Sequence, residues 1–307
     1  MVGPPPWLSE LAPRACPVCG SDDDSGVVAE SNVEAGRLGP YAFASRKVPE
    51  LMRHRLVACP VCDTVYASPS PAPGVLASAY EAAAYDSGGE ARYAAATYMR
   101  VIRRLLPRLP TEGGALDIGT GDGAFMVELD RLGFEDVQGV EPSRAPIEAA
   151  PTAVRERIRN GVFRAEEFEP GGYRLITAFQ TLEHVPDPLG LCSGAGRLLR
   201  PGGALVLVCH DRRAAVNRAM GMRSPIYDVE HLQLFSPRSL TETLTRAGLV
   251  DPEVRRVVNR YPLRYWLRLS PLPAKRRVVR TADRLGLGGL GLRLPAGNLA
   301  ATGFKGA

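Results

Sequence analysis

Hydrophobic and polar positions along this chain fall into three regimes. From residue 113 to about 250, short apolar runs alternate with amphipathic stretches. The apolar runs predict strands at 115–118, 137–140, 162–164, 174–178 and 204–209. The stretches between them predict helices at 124–132, 144–150, 188–199 and 237–247. Alternating strands and helices predict a mostly parallel sheet whose ligand sits at the carboxyl ends of its strands. Residues 75–108 read as helix, with Met99, Ile102, Leu105 and Leu106 on one face. Before residue 75 helical periodicity is weak. There, 27–34 and 55–58 suit strands of a small ribbon, and the proline-rich 68–74 reads as a linker. Beyond 250, residues 253–258 and 298–304 suit two further strands, and 262–285 mixes basic residues with Tyr265, Trp266, Leu267, Leu269, Val278 and Val279 as amphipathic helices do.

Four of the six cysteines form two identical turns, Cys16-Pro-Val-Cys19 and Cys59-Pro-Val-Cys62. One such turn aims two thiolates at one point. Two complete a tetrahedral sulfur site suited to a structural zinc ion. Gly20 permits the tight backbone after the first turn, and Asp63 takes that place after the second. A closed four-thiolate site serves folding and leaves no position for catalysis. Cys192 and Cys209 lie in apolar surroundings and read as buried thiols.

Composition adds bounds. The chain has 307 residues, 45% hydrophobic and 23% charged, which is long enough for a core without disulfide staples. Its opening has no basic region followed by an apolar one, and no apolar run approaches a bilayer span, so a soluble cytoplasmic protein without a transmembrane segment is expected. The net charge of +5 is uneven: residues 251–307 hold twelve basic and three acidic residues, +9, which leaves −4 for the rest. The charge therefore describes one segment and not the whole protein.

The first core strand ends in Leu116-Asp-Ile-Gly-Thr-Gly-Asp-Gly-Ala124. Its glycines let backbone N–H groups approach a ligand at a helix N-terminus, and Gly119, Gly121 and Ala124 also satisfy a dinucleotide-binding fingerprint. Glu141, ending the second strand, suits ribose hydroxyls in either case. Charge separates the two. Asp117 beside the loop would repel a pyrophosphate but can anchor an ammonium group, directly or through water. The loop, together with Gln180-Thr-Leu-Glu-His-Val-Pro-Asp-Pro-Leu189, Leu198-Leu-Arg-Pro-Gly-Gly-Ala-Leu-Val206 and His231-Leu-Gln-Leu-Phe-Ser-Pro-Arg-Ser-Leu240, resembles the class I S-adenosylmethionine-dependent methyltransferases, in particular their UbiE/UbiG-like branch with natural-product and sugar enzymes. Members of that branch often carry an N-terminal CxxC…CxxC module, then a proline-rich exit and a tyrosine-bearing helix, an order matched here by Pro69–Pro73 and by Tyr80 or Tyr85.

This resemblance implies an α/β, Rossmann-like, seven-stranded, mostly parallel sheet, with a small zinc ribbon at 1–75, a helical cap at 76–112, the cofactor-binding core at 113–250, and the last strands with a basic helical insertion over the substrate at 251–307. It assigns S-adenosylmethionine contacts to Asp117, Gly119, Thr120 and Gly121 at the amino-acid end, and to Glu141 and Pro142 at the ribose and adenine. Ala165 or Glu166 falls near the adenine amino group, Gln180 and Thr181 line the methionine side, and Tyr85 closes over it or simply packs its helix. Tyr173-Arg174 stands where the family often has Phe-Asp.

The sulfonium methyl is electrophilic already, so the protein aligns a nucleophile and removes its proton. Candidate bases are His231 and His210, with Tyr227 in support. His184 reads as an orienting residue beside Glu183, and His54 as a surface or ribbon residue. The expected reaction is methylation of an oxygen or nitrogen, or a carbon, of a small-molecule acceptor in secondary or sugar metabolism. Two other readings compete. One is an RNA base methyltransferase gripping phosphates with the module and basic helices, against which the module is slightly acidic. The other is a non-catalytic cofactor-binding scaffold subunit. The basic amphipathic helices also admit a membrane-surface reading. The oligomeric state is not legible.

Overall fold

The structure is a computed structural model describing residues 8, 10–23, 26–38, 42–43, 50–85, 88–270 and 274–307. Residues 1–7, part of the opening read above for a signal peptide, lie outside them, as do 271–273 of the basic segment. The N-terminal module contains β1 (Leu11–Ala12), β2 (Val27–Ala29), β3 (Leu56–Ala58), β4 (Val65–Ala67) and β5 (Ser70–Pro71), followed by helices α1 (Pro73–Glu81) and α2 (Gly88–Leu105). Next come β6 (Gly114–Ile118), α3 (Ala124–Arg131), β7 (Val137–Glu141), α4 (Arg144–Ala149), α5 (Thr152–Arg155), β8 (Ile158–Asn160), β9 (Tyr173–Phe179), α6 (Pro188–Leu198) and β10 (Leu199–His210). The chain ends with α7 (Ala215–Met220), β11 (Gln233–Leu234), α8 (Pro237–Arg246), β12 (Val250–Pro262), α9 (Leu263–Leu269), α10 (Lys275–Arg284) and β13 (Gly291–Phe304).

Seven strands form one sheet in the order β12-β13-β10-β9-β6-β7-β8, with β10, β9, β6, β7 and β8 parallel and β13 antiparallel to both its neighbours. The period of two along its central strands makes two cores. Leu116, Ile118, Ile176, Leu205 and Leu207 face one side with helices α6 and α8. Ala115, Leu175, Val206 and Val208 face the other with α2 and α3. Cys192 and Cys209 are buried in the first of these layers.

Two expectations change. The third core strand lies at Ile158–Asn160 and not at 162–164. Gly161 turns the chain, bonding its N–H to the Glu141 carbonyl at 3.0 Å, and leaves Val162 exposed while Phe163 stacks on Phe168. The proline-rich 68–74 is not a free linker. Ser70 and Pro71 pair with Leu11 and Ala12, and Pro73 opens α1, where a missing N–H costs nothing.

The module is also not a separate body. Its sheet has the order β11-β4-β3-β2, so the core strand β11 completes it, and its cysteines share an apolar cluster with Leu182, Phe235 and Leu240. His54 is buried in this region, 2% exposed, which of the two readings, surface or ribbon residue, excludes the surface one. Burial pushes its imidazole down to about 4, despite a backbone hydrogen bond at Val229. The neutral form is thus favoured in the fold, while the unfolded chain takes a proton near pH 6.5. Stability conferred by the neutral ring is present above pH 6.5 and is lost as pH falls toward 4, about 2 kcal/mol of it between pH 7 and 5. In urea titrations, His54→Asn should lose less stability than wild type over that interval. Parallel pH curves would refute the assignment.

Candidate active site

The carboxyl ends of β6, β7, β9 and β10 open onto a cavity of about 1090 Å³. On one side the glycine-rich turn after β6 supplies Gly119, Thr120 and Gly121, and the end of β7 supplies Glu141 and Pro142. Gly119 has φ +75°, and a Cβ there would meet the Thr181 hydroxyl at 2.3 Å, so only glycine lets the two turns close on each other. The Glu141 carboxylate, raised by burial, accepts the N–H groups of Gly121 and Ser143, each at 2.9 Å. That fixes the loop and leaves lone pairs for hydroxyl donors. Ala165, Gln180, Thr181 and Tyr85 complete this wall, together with Glu166. Gln180 has φ +52°, an uncommon conformation for its residue type, and its buried Nε2 has no hydrogen-bond partner among the described residues. A donor held so beside a cavity suits a ligand acceptor such as a carboxylate.

Asp117 lies behind this wall and is not among the lining residues. β6 and β9 place it opposite Thr177, whose hydroxyl donates to it at 2.6 Å. Burial, partly offset by that bond, raises its carboxyl to about 6.

The cavity also carries three imidazoles in a row. His184 and His231 are 4.9 Å apart between ring centroids, and His231 and His210 are 5.1 Å apart. All three line the cavity. Their Nδ1 atoms face oxygens: the Glu230 carbonyl at 3.1 Å for His184, the Ile226 carbonyl at 2.8 Å for His231, and Asn298 Oδ1 at 2.9 Å for His210. A carbonyl can only accept, so in the neutral rings of His231 and His210 Nδ1 donates and Nε2 becomes the basic nitrogen, whereas His184 Nδ1 also meets the Tyr80 hydroxyl at 3.2 Å. Asn298 is held in turn by Asn259, at 3.2 Å. Tyr227, the third catalytic candidate, does not reach the wall. It packs against the module's small apolar cluster with Ala58, while its neighbour Ile226 lines the cavity. The segment leading to His231 is exposed at 218–219 and 222–223 and buried at Ser224, Ile226, Asp228 and Val229.

Local motifs explain this convergence. Glu183 is fully buried, accepts the His210 N–H at 2.6 Å through its carboxylate, and accepts the Leu232 N–H at 2.8 Å through its carbonyl. Gln233 donates to the carbonyls of Leu182 and Val185, at 2.6 and 2.8 Å. Asp187 caps α6 by accepting the Gly190 N–H. The two segments around His184 and His231 are thereby bound into one unit.

The module buttresses it. Arg14, whose guanidinium is lowered to about 10 by burial, donates to the carbonyls of Ala67, Pro186 and Leu232 at 2.8–3.0 Å. Asp63, at φ +68° where the first knuckle has glycine, binds both Arg212 and Arg213, directly after His210 and Asp211. Burial alone would raise its carboxyl, but Arg213, Ser236 and Arg212 together hold it low. The thiols of Cys16, Cys19, Cys59 and Cys62 all lie within 4.8 Å of one another, with Cys16–Cys62 and Cys19–Cys59 at 3.4 Å. Tetrahedral zinc with bonds of about 2.3 Å asks for sulfur separations of about 3.8 Å, so the set fits that ion. Arg14, the Asn298–Asn259 pair and the row of three rings have no local motif in the sequence. Tyr261, Tyr265 and Trp266 line the cavity from β12 and α9.

A family model described as a methyltransferase domain matches residues 91–253. The ubiquinone biosynthesis O-methyltransferase of Nitrosococcus oceani is 37% identical over 94 residues, covering 29% of this chain and 39% of that one. The enzyme of the same name from Acinetobacter baumannii is 27% identical over 167 residues, covering 50% and 70%. The chain thus spans about two fifths of the first relative's length. The structure of an S-adenosylmethionine-dependent methyltransferase from Archaeoglobus fulgidus aligns with TM-score 0.47 and 15% identity, over 69% of this chain and 94% of the other.

Proposed function

Because the chain belongs to the methyltransferase-domain family, we propose that it transfers a methyl group from S-adenosylmethionine to an oxygen of a small metabolite, nitrogen or an acidified carbon being the other acceptors. The observation that carries this reading is the pairing, in one cavity, of a glycine-rich turn with a row of imidazoles, of which His231 and His210 have their basic nitrogens set by hydrogen bonds. Bound cofactor supplies an electrophilic methyl group. Gly119, Thr120, Gly121 and Gln180 would hold its amino-acid end, with Asp117 behind them balancing the ammonium through water. Glu141 would take the ribose hydroxyls, with Pro142 and Ala165 beside the adenine and Thr181 and Tyr85 along the thioether. His231 removes the acceptor's proton. His210 and His184 flank it, and Tyr227 takes no part. The aromatic face of Tyr261, Tyr265 and Trp266 supports a flat acceptor. The four cysteines hold a structural zinc ion. The negative charge outside the tail favours a small acceptor over RNA.

Calorimetry with S-adenosylhomocysteine tests the cofactor half. Wild type should bind, and Gly119→Ala should bind at least about tenfold more weakly, because its Cβ would meet Thr181. An ammonium group prefers ionised Asp117. With that carboxyl at about 6, affinity should be full above pH 7 and fall by up to about tenfold per unit below pH 6. Asp117→Asn should flatten this dependence. Equal affinity of Gly119→Ala, or no wild-type binding, would overturn the reading.

A further inference from the structure

β12 and β13 extend past the body of the sheet. Residues 298–304 of β13 pair with β10, whereas 291–294 pair only with β12. The projecting end carries α9 and α10, beyond the carboxyl ends of the parallel strands. Residues 263–294 hold eight basic residues and one acidic residue, Asp283, which already faces Arg264 at 3.8 Å. Large apolar side chains are exposed in the same place: Leu285 by 67%, Leu290 by 56% and Leu287 by 47%. Between α9 and α10 runs an apolar groove lined by Leu263, Leu267, Val278 and Leu285.

We infer that this helical hairpin docks the protein on the surface of an anionic phospholipid bilayer. The charge selects the partner, since uncompensated arginines seek a negative surface. The leucines narrow it further. Phosphates of a nucleic acid give nothing for exposed leucine, whereas the headgroup–acyl boundary rewards both charge and apolar side chain. A second copy of this chain placed symmetrically on the patch would set arginine against arginine. Docking is peripheral, because among the described residues no helix is long and apolar enough to cross a membrane. α9 links the surface to the cavity: Leu263 and Leu267 line the groove while Tyr265 and Trp266 line the cavity. The docked hairpin therefore turns the acceptor side of the cavity toward the bilayer, where amphiphilic acceptors collect.

This inference goes beyond the methyl-transfer reading and does not need it, because vesicle binding is read without turnover. Full-length protein is pelleted with vesicles of phosphatidylcholine alone and with about one third phosphatidylglycerol. Pelleting should require the anionic lipid and weaken at high salt. Leu285→Ser with Leu290→Ser should reduce binding about tenfold or more through lost apolar insertion. Arg276→Glu with Arg280→Glu should do the same through charge. Both variants should keep the wild-type far-UV circular dichroism and melting temperature, which shows that they are folded. Equal pelleting with neutral vesicles, or no pelleting, overturns the inference. So does a duplex RNA that binds the hairpin in place of vesicles, or a leucine-dependent dimer in light scattering.

Discussion

Replacing His231 with alanine is expected to lower kcat by about 100- to 10,000-fold while leaving the affinity for S-adenosylhomocysteine within about threefold of wild type. That span corresponds to about 3–5 kcal/mol of transition-state stabilisation. The Ile226 carbonyl takes the Nδ1 hydrogen of His231, so the neutral ring presents Nε2 as a proton acceptor. The ring is the middle one of three. His210→Ala should therefore cost less than His231→Ala, because the middle ring survives. The glycine-rich turn is held by Glu141 and the Val140 carbonyl and not by His231, which is why cofactor affinity should hold. A rate within threefold of wild type, or a loss of cofactor affinity matching the loss of rate, would remove His231 as base. Recovery of part of the rate with added imidazole would separate lost chemistry from lost shape.

The two halves of this site differ in how much the sequence reveals. The glycine-rich turn is legible because its chemistry lies in consecutive residues. Gly119 must be glycine for one local reason, the approach of Thr181. The row of imidazoles is not legible, because its members follow β9, end β10 and precede β11, and only the fold brings neighbouring rings within 5.1 Å. Reading His184 as an orienting residue captured its hydrogen bond to the Glu230 carbonyl but missed its place in the row. Tyr227 as a catalytic candidate is not upheld, because it packs with Ile226 on the module's apolar cluster and is not among the residues lining the cavity. Val162 and Phe163 resemble a strand by composition, yet Gly161 spends that stretch on a turn. Asp63 stands where the first knuckle has Gly20. It accepts a positive φ because its carboxylate anchors Arg212 and Arg213, partners that no local pattern announces.

Those anchors make metal removal the second large effect. Stripping zinc with a strong chelator, or replacing Cys59 with serine, should lower the melting temperature by about 10–20 °C, the shift that a loss of about 5 kcal/mol brings to a chain of this size. Four thiolates within 4.8 Å repel one another without a cation, and protonated thiols form no tetrahedral clamp, so the two knuckles should part. The loss should not stop at the module. Arg14 leaves the carbonyls of Pro186 and Leu232, and Asp63 leaves Arg212 and Arg213, so the segments bearing His184, His231 and His210 lose their support together. The glycine-rich turn is held instead by Glu141, Ser143 and Thr181, which belong to the core. The stripped protein should therefore keep cofactor affinity within a few-fold below its lowered melting temperature and lose most of its turnover. Elemental analysis should find one zinc per chain. Chains without zinc that melt and turn over as before would overturn the assignment, as would intact masses showing disulfides between the knuckles, since sulfurs 3.4 Å apart need only small shifts to reach a bond of about 2 Å.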